Sequence, residues 1–534
     1  MLRPLVPVLI ALACVAAAGC KVTREDIDYW TGTQKGPGKI VAVLLADKYE
    51  DDLRAYAGLA LVRMEPRTAT ETQDAVDGVS ELQAAVRQLP EETRTRLVDL
   101  MVPRLIEMMR GQDAPQASSG EEEGVPRRQV RAKDAAFLII PYASPERRRE
   151  LTEAVVDWFV VDFNGRSLEG NYTAEQVVRQ LGAVAASRLV NALNARLPQQ
   201  ALVKLAELIA SLGDAETKQR AAVRLVEIER EMEGEEFMNW LRERLREQLL
   251  QQMDESQRAQ AQINQERIEA AAALNRENFI NLGALPAMKH LNGERVVQDR
   301  LLEIARQQVG EEPISARRVV ALRALEGGVR PDQVDALLDI ALNDPTAKQA
   351  VRSLGGARPD DYAFDRISDA RATSAIPRLW PVFDSTDDIR LRRRVGALIL
   401  ALGGPDVVQE FFNHLDDESY EQAELHNYGQ HMSQMRPPPT EFVSTQLQSR
   451  QWFDRVIALY FWQHRATAAD LPRITALEQD ATPTAGSDWR DQNTVGKVAQ
   501  AVAQAVRDRL ERAQRDAQGG GSEGSGSSDG GGSQ

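Results

Sequence analysis

The chain has 534 residues, of which 43% are hydrophobic, 5% are aromatic and two are cysteines. This length fits several globular domains or one extended repeat array, and the scarcity of aromatic residues favours helices over sheets. Two cysteines exclude a disulfide-dense or multi-cysteine metal protein, and the net charge of −15 argues against a general nucleic-acid binder.

The first 20 residues combine an early basic residue, Arg3, with an apolar run that ends in small residues immediately before Cys20. The run is shorter than the roughly 20 residues that a membrane-spanning helix needs. This pattern resembles the signal peptide of bacterial lipoproteins, which is removed so that the cysteine becomes a lipidated N-terminus. The resemblance implies cleavage after residue 19 and acylation of Cys20, although Ala17 stands where that family usually has Leu.

Three alternatives stay open for this segment. A plain secretory signal cut near Ala18 would leave Cys20 as a free thiol, an uncleaved anchor would stay in the membrane, and Cys14 offers an earlier but poorer cleavage site. Lys21 stands where Asp typically retains such lipoproteins in the inner membrane. The resemblance therefore implies an outer-membrane anchor that faces the periplasm, with residues 20–38 as a tether.

Helical repeats are predicted from residue 39 onwards. Residues 39–64 and 201–228 each contain an apolar helix, a turn with Asp and a second helix rich in Ala and Leu. Since proline is tolerated in the first turn of a helix and glycine ends helices, three further repeats are predicted to begin at prolines. The prolines are Pro286, Pro331 and Pro377, and the predicted second helices cover 316–328, 347–356 and 390–404.

The succession of an apolar helix, an Asp-containing turn, an arginine such as Arg54 and an Ala-rich helix resembles the HEAT family. The resemblance implies an all-α solenoid of antiparallel helix pairs over most of residues 39–465, because one pair alone cannot bury its apolar face. The Asp and Arg are not kept in every unit, and a non-repetitive helical bundle is the alternative.

Interruptions divide the predicted array into segments. The predicted boundaries are N-terminal helices over 39–110, a polar linker over 111–131, a main array over 132–465, capping helices over 466–518 and a disordered Gly/Ser tail over 519–534. Residues 231–280 are predicted to form one or two long helices inside the main array. We interpret them as overlong repeat helices, with a partner-binding coiled-coil arm as the alternative.

No sequence motif for nucleophilic, nucleotide-dependent or zinc-dependent catalysis is present, so we predict no catalytic residue, no cofactor and no metal ion. His426 and His431 are five residues apart, a step at which two side chains do not share a helix face. Residues 33–39 lack the pattern of a phosphate-binding loop, and residues 162–165 fit a turn better than a calcium loop.

Two kinds of segment are candidates for partner contact. The aromatic helix near the C-terminus offers Trp452, Tyr460, Phe461 and Trp462, with ordinary core packing as the alternative. The arginine runs 147–149 and 392–394 fit either a solvated helix face or part of a site for an acidic partner.

These features predict a membrane-anchored, extracytoplasmic helical-repeat scaffold that binds an unknown protein partner, has no affinity for nucleic acid and is not an enzyme. An envelope assembly factor or chaperone is the first alternative, favoured if the binding face is apolar. An unrecognised enzyme, such as a lyase of the HEAT-like kind, is the second.

Overall fold

The structure is a computed structural model that describes residues 22–68, 76–112, 126–252, 265–308, 312–416, 419–486 and 488–519. These ranges contain helices, short 3-10 and π turns and three isolated β-bridges, but no strand. The chain divides into two units, residues 1–300 and 301–534. Cys20 and the Gly/Ser tail beyond Gly519 lie outside the described residues, so their predicted roles stay predictions.

The first unit is a succession of helices joined mostly by short turns. They are α1 (Arg24–Thr31), α2 (Gly36–Leu45), α3 (Asp51–Arg63), α4 (Gly78–Gln88), α5 (Glu91–Met109), α6 (Arg127–Ile139), α7 (Pro145–Val161), α8 (Phe163–Arg166), α9 (Ala174–Leu181), α10 (Ala183–Leu189), α11 (Gln199–Leu212), α12 (Ala215–Glu233), α13 (Glu235–Gln251), α14 (Gln265–Phe279) and α15 (Leu285–Lys289). Helix α16 (Arg295–Ala305) contains the boundary between the units.

The predicted tether over residues 20–38 is partly folded, because α1 lies within it. The side chains of Thr23 and Asp26 form a capping box at its start, which satisfies amide groups that the first turn leaves unpaired. Ile27 is fully buried, and α1 packs on α2 and α3. The tether prediction is therefore wrong for this stretch, since one apolar side chain and a good cap suffice to dock a short helix.

The predicted linker also ends earlier than expected. Helix α6 begins at Arg127, directly after Pro126, whereas the prediction extended the linker to Arg131. The Arg131 guanidinium donates to the carbonyl oxygen of Val62 at 3.0 Å and to the carboxylate of Asp77 at 2.9 Å. Arg131, which was predicted to lie in the linker, therefore fixes α6 to the preceding helices.

The long-helix insertion consists of α13 and α14, with residues 253–264 outside the described ranges. Their facing sides pack on each other: the Phe279 ring lies 5.4 Å from that of Phe237 and 5.8 Å from that of Trp240. An ion pair of 2.8 Å between Arg242 and Glu269 closes the solvent side. This packing supports the interpretation as overlong repeat helices.

Pro286 does not begin a new helix, contrary to the prediction. It lies in the first turn of α15, which continues α14 through a π-helical turn over Ile280–Ala284. Proline lacks the N–H that an uninterrupted α-helix would use, and the wider π turn precedes that position. Of the three prolines that are spaced about 45 residues apart, one therefore lies inside a helical stretch and two lie at helix starts.

The second unit repeats a helix pair. Its helices are α17 (Glu312–Ala324), α18 (Val334–Leu338), α19 (Pro359–Asp369), α20 (Ile376–Ser385), α21 (Ile389–Gly403), α22 (Val408–Asn413), α23 (Gln422–Gln434), α24 (Thr440–Gln446), α25 (Trp452–Arg465), α26 (Leu471–Thr475) and α27 (Val495–Gly519). The longer, second helices of successive pairs, α19, α21, α23, α25 and α27, each pack on the next.

This stacking within the second unit, together with the helix hairpins of the first, confirms the prediction of an all-α, HEAT-like repeat fold. One predicted second helix is wrong: residues 347–356 contain only a 3-10 turn, Arg352–Leu354, and α19 starts at Pro359. Gly355 and Gly356 have φ values of 68° and 84°, a left-handed conformation that interrupts a helix. Pro359 then begins the true second helix.

Two glycines bring the second helices unusually close together. A Cβ atom on Gly396 would lie 2.7 Å from the Tyr428 ring, and one on Gly429 would lie 2.7 Å from the carbonyl oxygen of Ile457. Contacts this short exclude any side chain. Helices α21, α23 and α25 are therefore held at a spacing that larger residues would not permit.

Arginines near the starts of second helices are buried. Arg54 donates to the carbonyl oxygens of Leu44 and Leu45, the last residues of the preceding helix. Arg318 is fully buried, donates to the carbonyl oxygen of Ala305 and pairs with Asp344. Both arginines satisfy carbonyl groups that a helix end leaves without partners, which gives a physical reason for an arginine in this position of the repeat.

Residues 389–413 are long and apolar enough to span a membrane by length and composition. More than half of its most apolar 18-residue window is buried inside the protein, and the whole stretch comprises α21, a 3-10 turn over Gly404–Val407 and α22. We interpret it as core of the helical repeat.

Candidate functional site

A groove runs across three second helices of the second unit. It has a volume of about 650 Å³ and is lined by Phe364, Asp365 and Ser368 of α19, by Arg390, Arg393, Arg394, Ala397, Leu398 and Ala401 of α21, and by Ala423, Asn427 and His431 of α23. We call it the second-helix groove. It contains two of the three arginines in the run 392–394.

The α21 wall follows one helix face. Arg390, Arg393, Arg394, Ala397 and Ala401 recur at steps of three or four residues, the spacing of side chains that share a face. Arg392 falls on the other side, where its guanidinium pairs with Glu424 at 2.8 and 3.1 Å and lies 4.7 Å from the Tyr420 ring. One sequence run therefore supplies both a buried structural arginine and two groove arginines.

Carboxylates from α19 balance two of the groove arginines. Arg390 pairs with Asp361 at 2.8 Å, and Arg394 pairs with Asp365 at 2.7 Å and donates to the carbonyl oxygen of Asp361 at 2.6 Å. The Arg394 guanidinium also lies 5.7 Å from the centre of the Phe364 ring. These contacts hold both arginine side chains in extended, defined positions.

Arg393 differs from its neighbours. Its side chain is half-buried, and within the described parts of the chain it makes no hydrogen bond or ion pair. On the facing helix, the Oδ1 atom of Asn427 is buried and likewise has no donor among these residues. A buried polar atom without a partner costs free energy, so a donor that enters the groove would stabilise Asn427 Oδ1, and the Arg393 guanidinium is available to an anion.

Two titratable groups in the groove have shifted pKa values. Partial burial raises the pKa of the Asp365 carboxyl above its ordinary value, against the opposing effect of Arg394. Burial lowers the pKa of the His431 imidazole, so this ring is neutral near pH 7. The charge of the groove at neutral pH therefore comes from its arginines and aspartates.

The predicted aromatic contact residues lie elsewhere. Tyr460, Phe461 and Trp462 are 3%, 0% and 3% exposed, and Trp452 is half-buried, with its ring 5.5 Å from that of Trp489. Their own chain covers three of these four side chains. Burial of this extent favours the alternative that they are core residues, because a partner would have to displace α27 or its neighbours to reach them.

The two central histidines diverge, as their spacing indicates. His431 lines the second-helix groove, whereas the His426 ring packs 4.8 Å from the Tyr460 ring and 5.7 Å from that of His464. Among the described residues, no three His, Cys, Asp or Glu side chains are grouped in a way that could hold a metal ion.

Ser368, Asp365 and His431 share the groove, a combination that suggests hydrolytic chemistry. Among the described residues, no hydrogen bond joins any two of them. A serine nucleophile needs a base within hydrogen-bond reach and a third group that orients the base. The groove is lined by polar side chains but lacks this arrangement.

The remaining sequence candidates have structural roles. Asp162 accepts a hydrogen bond of 3.0 Å from the amide of Gly165, which makes residues 162–165 a helix-capping turn. Residues 33–35 connect α1 to α2, residues 36–39 form the first turn of α2, and a side chain on Gly36 would overlap the carbonyl oxygen of Trp30. The first arginine run extends into solvent: Arg147 pairs with Glu150, and Arg149 with Glu153.

Sequence reasoning identified the run 392–394 but missed Asp365, Asn427 and the alanines of the groove floor. The steps of three and four residues that link Arg390 to Ala401 were visible in the sequence. What could not be read from it is that α19 and α23 flank this face, since that depends on how consecutive pairs stack.

No protein-family model matches the chain, and a search of curated proteins gives no match. Among solved structures, the chain is similar to importin beta, crystallised in an ammonium sulfate condition, with 12% identity, a TM-score of 0.25 and coverage of 92% of this chain and 62% of that one. It is also similar to Kap121p bound to RanGTP, with 12% identity, a TM-score of 0.27 and coverage of 95% and 52%. The chain thus spans about half to three fifths of their length, and no functional property follows from likeness at this level.

Proposed function

We propose that this protein is a membrane-anchored, extracytoplasmic scaffold that holds a protein partner on the face formed by its second helices. The observation that carries the proposal is the second-helix groove, which presents Arg393 and the Oδ1 atom of Asn427, two groups without a partner among the described residues, on a helical support. Close packing at Gly396 and Gly429 fixes the walls, so a ligand meets a preformed surface.

The location rests on the sequence of residues 1–20. The apolar run and the small residues before Cys20 support lipid attachment at that cysteine, and Lys21 supports the outer membrane, facing the periplasm. Several acyl chains hold a protein at a membrane far more firmly than one chain does. The folded helices would then present the groove close to the membrane surface.

The alternatives are less well supported. A chaperone or envelope assembly factor would need a predominantly apolar binding face, whereas the α21 wall begins with three arginines. An enzyme would need an activated nucleophile, a metal or a cofactor, and the described residues offer no such arrangement. We therefore propose a binding function without catalysis.

Fractionation and site-specific cross-linking test the two parts of the proposal separately. Wild-type protein should separate with outer-membrane vesicles on a sucrose gradient and incorporate labelled palmitate, and the Cys20→Ala variant should do neither. Membrane association of the variant at the wild-type level would contradict lipid anchoring at Cys20.

A photo-cross-linking amino acid placed at Ala423, an exposed residue that lines the groove, should yield a defined cross-linked protein in living cells. The matched control position is Glu410, an exposed residue of α22, which is the first helix of its pair. This position should yield no cross-linked protein. Equal cross-linking from both positions would contradict a binding role for the groove face.

A further inference from the structure

We propose that the second-helix groove binds an extended peptide segment in which acidic side chains are followed by an apolar side chain. This inference rests on the proposed scaffold function and specifies the chemistry of the partner. It follows from the order of side chains along α21, from two groove-lining groups that have no partner among the described residues, and from the length of the site.

The groove changes character along its length. Arg390, Arg393 and Arg394 occupy the N-terminal half of α21, and Ala397, Leu398 and Ala401 occupy the C-terminal half. The small alanines leave room where larger side chains would fill the groove. A ligand that fits both halves must therefore be anionic at one end and apolar at the other.

Arg393 provides the anion-recognition group. Asp361 and Asp365 already engage Arg390 and Arg394, whereas Arg393 has no such partner among the described residues. A guanidinium binds a carboxylate through two parallel N–H···O bonds that are stronger than neutral hydrogen bonds. One carboxylate on Arg393 would complete the charge balance of this half, and a second would share the Arg390 guanidinium with Asp361.

Asn427 favours a peptide over a simple anion. Its buried Oδ1 atom accepts no hydrogen bond from the described residues, and an extended peptide backbone supplies an N–H donor every residue. Inorganic phosphate offers mainly acceptors, which suit Arg393 but leave Asn427 unsatisfied. The same pair of groups is satisfied together by a carboxylate side chain and a nearby main-chain amide.

The length of the groove agrees with this class of ligand. From Arg390 to Ala401 the helix rises by about 16 Å, which corresponds to about five residues of extended chain. A single tetrahedral anion would occupy only a small part of that distance. An acidic segment and one or two apolar side chains would fill it.

Selection from a library of random twelve-residue peptides displayed on phage tests the inference with the full chain, solubilised in detergent. Wild-type protein should enrich peptides with two or more Asp or Glu residues followed within three positions by Leu, Ile, Val or Phe. The same selection with the Arg393→Glu variant should not. Enrichment of basic peptides, or the same motif on both proteins, would overturn the inference.

The affinity of the most enriched peptide can then be measured by fluorescence anisotropy. Arg393→Ala should weaken binding at least tenfold, and Ala397→Phe, which fills the apolar half without altering charge, should do the same. The matched control is Arg149→Glu, a charge reversal at an exposed arginine outside the groove, which should leave the affinity within twofold. Circular dichroism confirms that each variant remains folded.

Two further ligands separate the sources of negative charge. Phosphate should displace the peptide no more than sodium chloride of equal ionic strength, and the Cys20→Ala chain should not bind phosphatidylglycerol vesicles in a manner that depends on Arg393. Binding to either one at the groove would overturn the peptide assignment. Failure of peptide selection with an intact groove-specific cross-link in cells would reject this ligand class while leaving the scaffold function standing.

Discussion

The arginine run 392–394 and the aromatic helix α25 were both predicted as candidate contact regions, but they differ in how far they are buried. The aromatic residues, which dominate many interfaces, lie inside: Phe461 is fully covered by its own chain. The arginines divide, with Arg392 buried and Arg393 and Arg394 lining a groove. Chemical character alone did not separate contact from core, because position relative to the neighbouring helices decides which side chains a partner can reach.

The most direct test of whether the aromatic residues belong to the core is to remove one aromatic ring. Trp462 is 3% exposed and carries the Arg473 guanidinium 5.2 Å from its ring. Trp462→Ala should lower the free energy of unfolding by about 3–5 kcal/mol because it leaves a large cavity. Urea unfolding followed by circular dichroism measures the loss, with Trp452→Ala as a control that should cost less. Lost partner binding with an unchanged unfolding midpoint would restore the contact interpretation.

Arg392 is the buried, structural member of the arginine run, and its replacement tests that role. Arg392→Leu leaves Glu424 buried with only the Tyr428 hydroxyl, which donates to it at 2.8 Å. We expect a loss of about 3–5 kcal/mol in the free energy of unfolding, since an uncompensated buried charge is costly. Adding Glu424→Leu should recover much of that loss. The control Arg149→Leu, at an exposed position, should change stability by less than about 0.5 kcal/mol, and an equal effect at both positions would refute the distinction.

Stability should also depend on pH through the first turn of α25. Burial raises the pKa of Asp454 to about 6, while the side chain accepts a hydrogen bond of 2.6 Å from Ser449. The folded protein holds this proton more tightly than the unfolded chain, so the contribution to stability is complete below about pH 4 and is lost as the pH rises through 6.

Asp454→Asn should therefore stabilise the protein at pH 8 by about 1–3 kcal/mol, with little difference from wild type near pH 4. Urea unfolding of both proteins at the two pH values measures this. A variant that is destabilised equally at both pH values would show that the carboxylate is required as an ion.

The smallest expected effect concerns the balance of charge inside the groove. Asp365→Asn removes the carboxylate nearest to Arg394 and makes the groove more positive. The affinity for an acidic peptide should rise by about two- to fivefold, with a steeper dependence on salt because the added attraction is electrostatic. Peptide titrations at two salt concentrations measure this. Reduced affinity would indicate that Asp365 orients Arg394 for binding and does not compete with the ligand.

Local sequence patterns were enough to predict the helical class and most of the helix pairs. Apolar periodicity, prolines and glycines are local signals, and they identified α20 with α21 and the apolar stripe of α27, in which Val495, Val498, Val502 and Val506 are buried. Predictions from these local signals were wrong where the same residues fit two different local structures. Gly355 and Gly356 end a turn and not a helix, and Pro286 lies within a continuous helical stretch.

The role of each side chain, in the core or in the groove, depends on how the helices pack in three dimensions. Arg392 and Arg393 are adjacent in sequence, yet a rotation of about 100° per residue directs one toward Glu424 and the other into the groove. Which face of α21 becomes groove depends on α19 and α23, and close contact at Gly396 sets the distance between α21 and α23. A groove built across three repeats is a property of their stacking, and no single repeat encodes it.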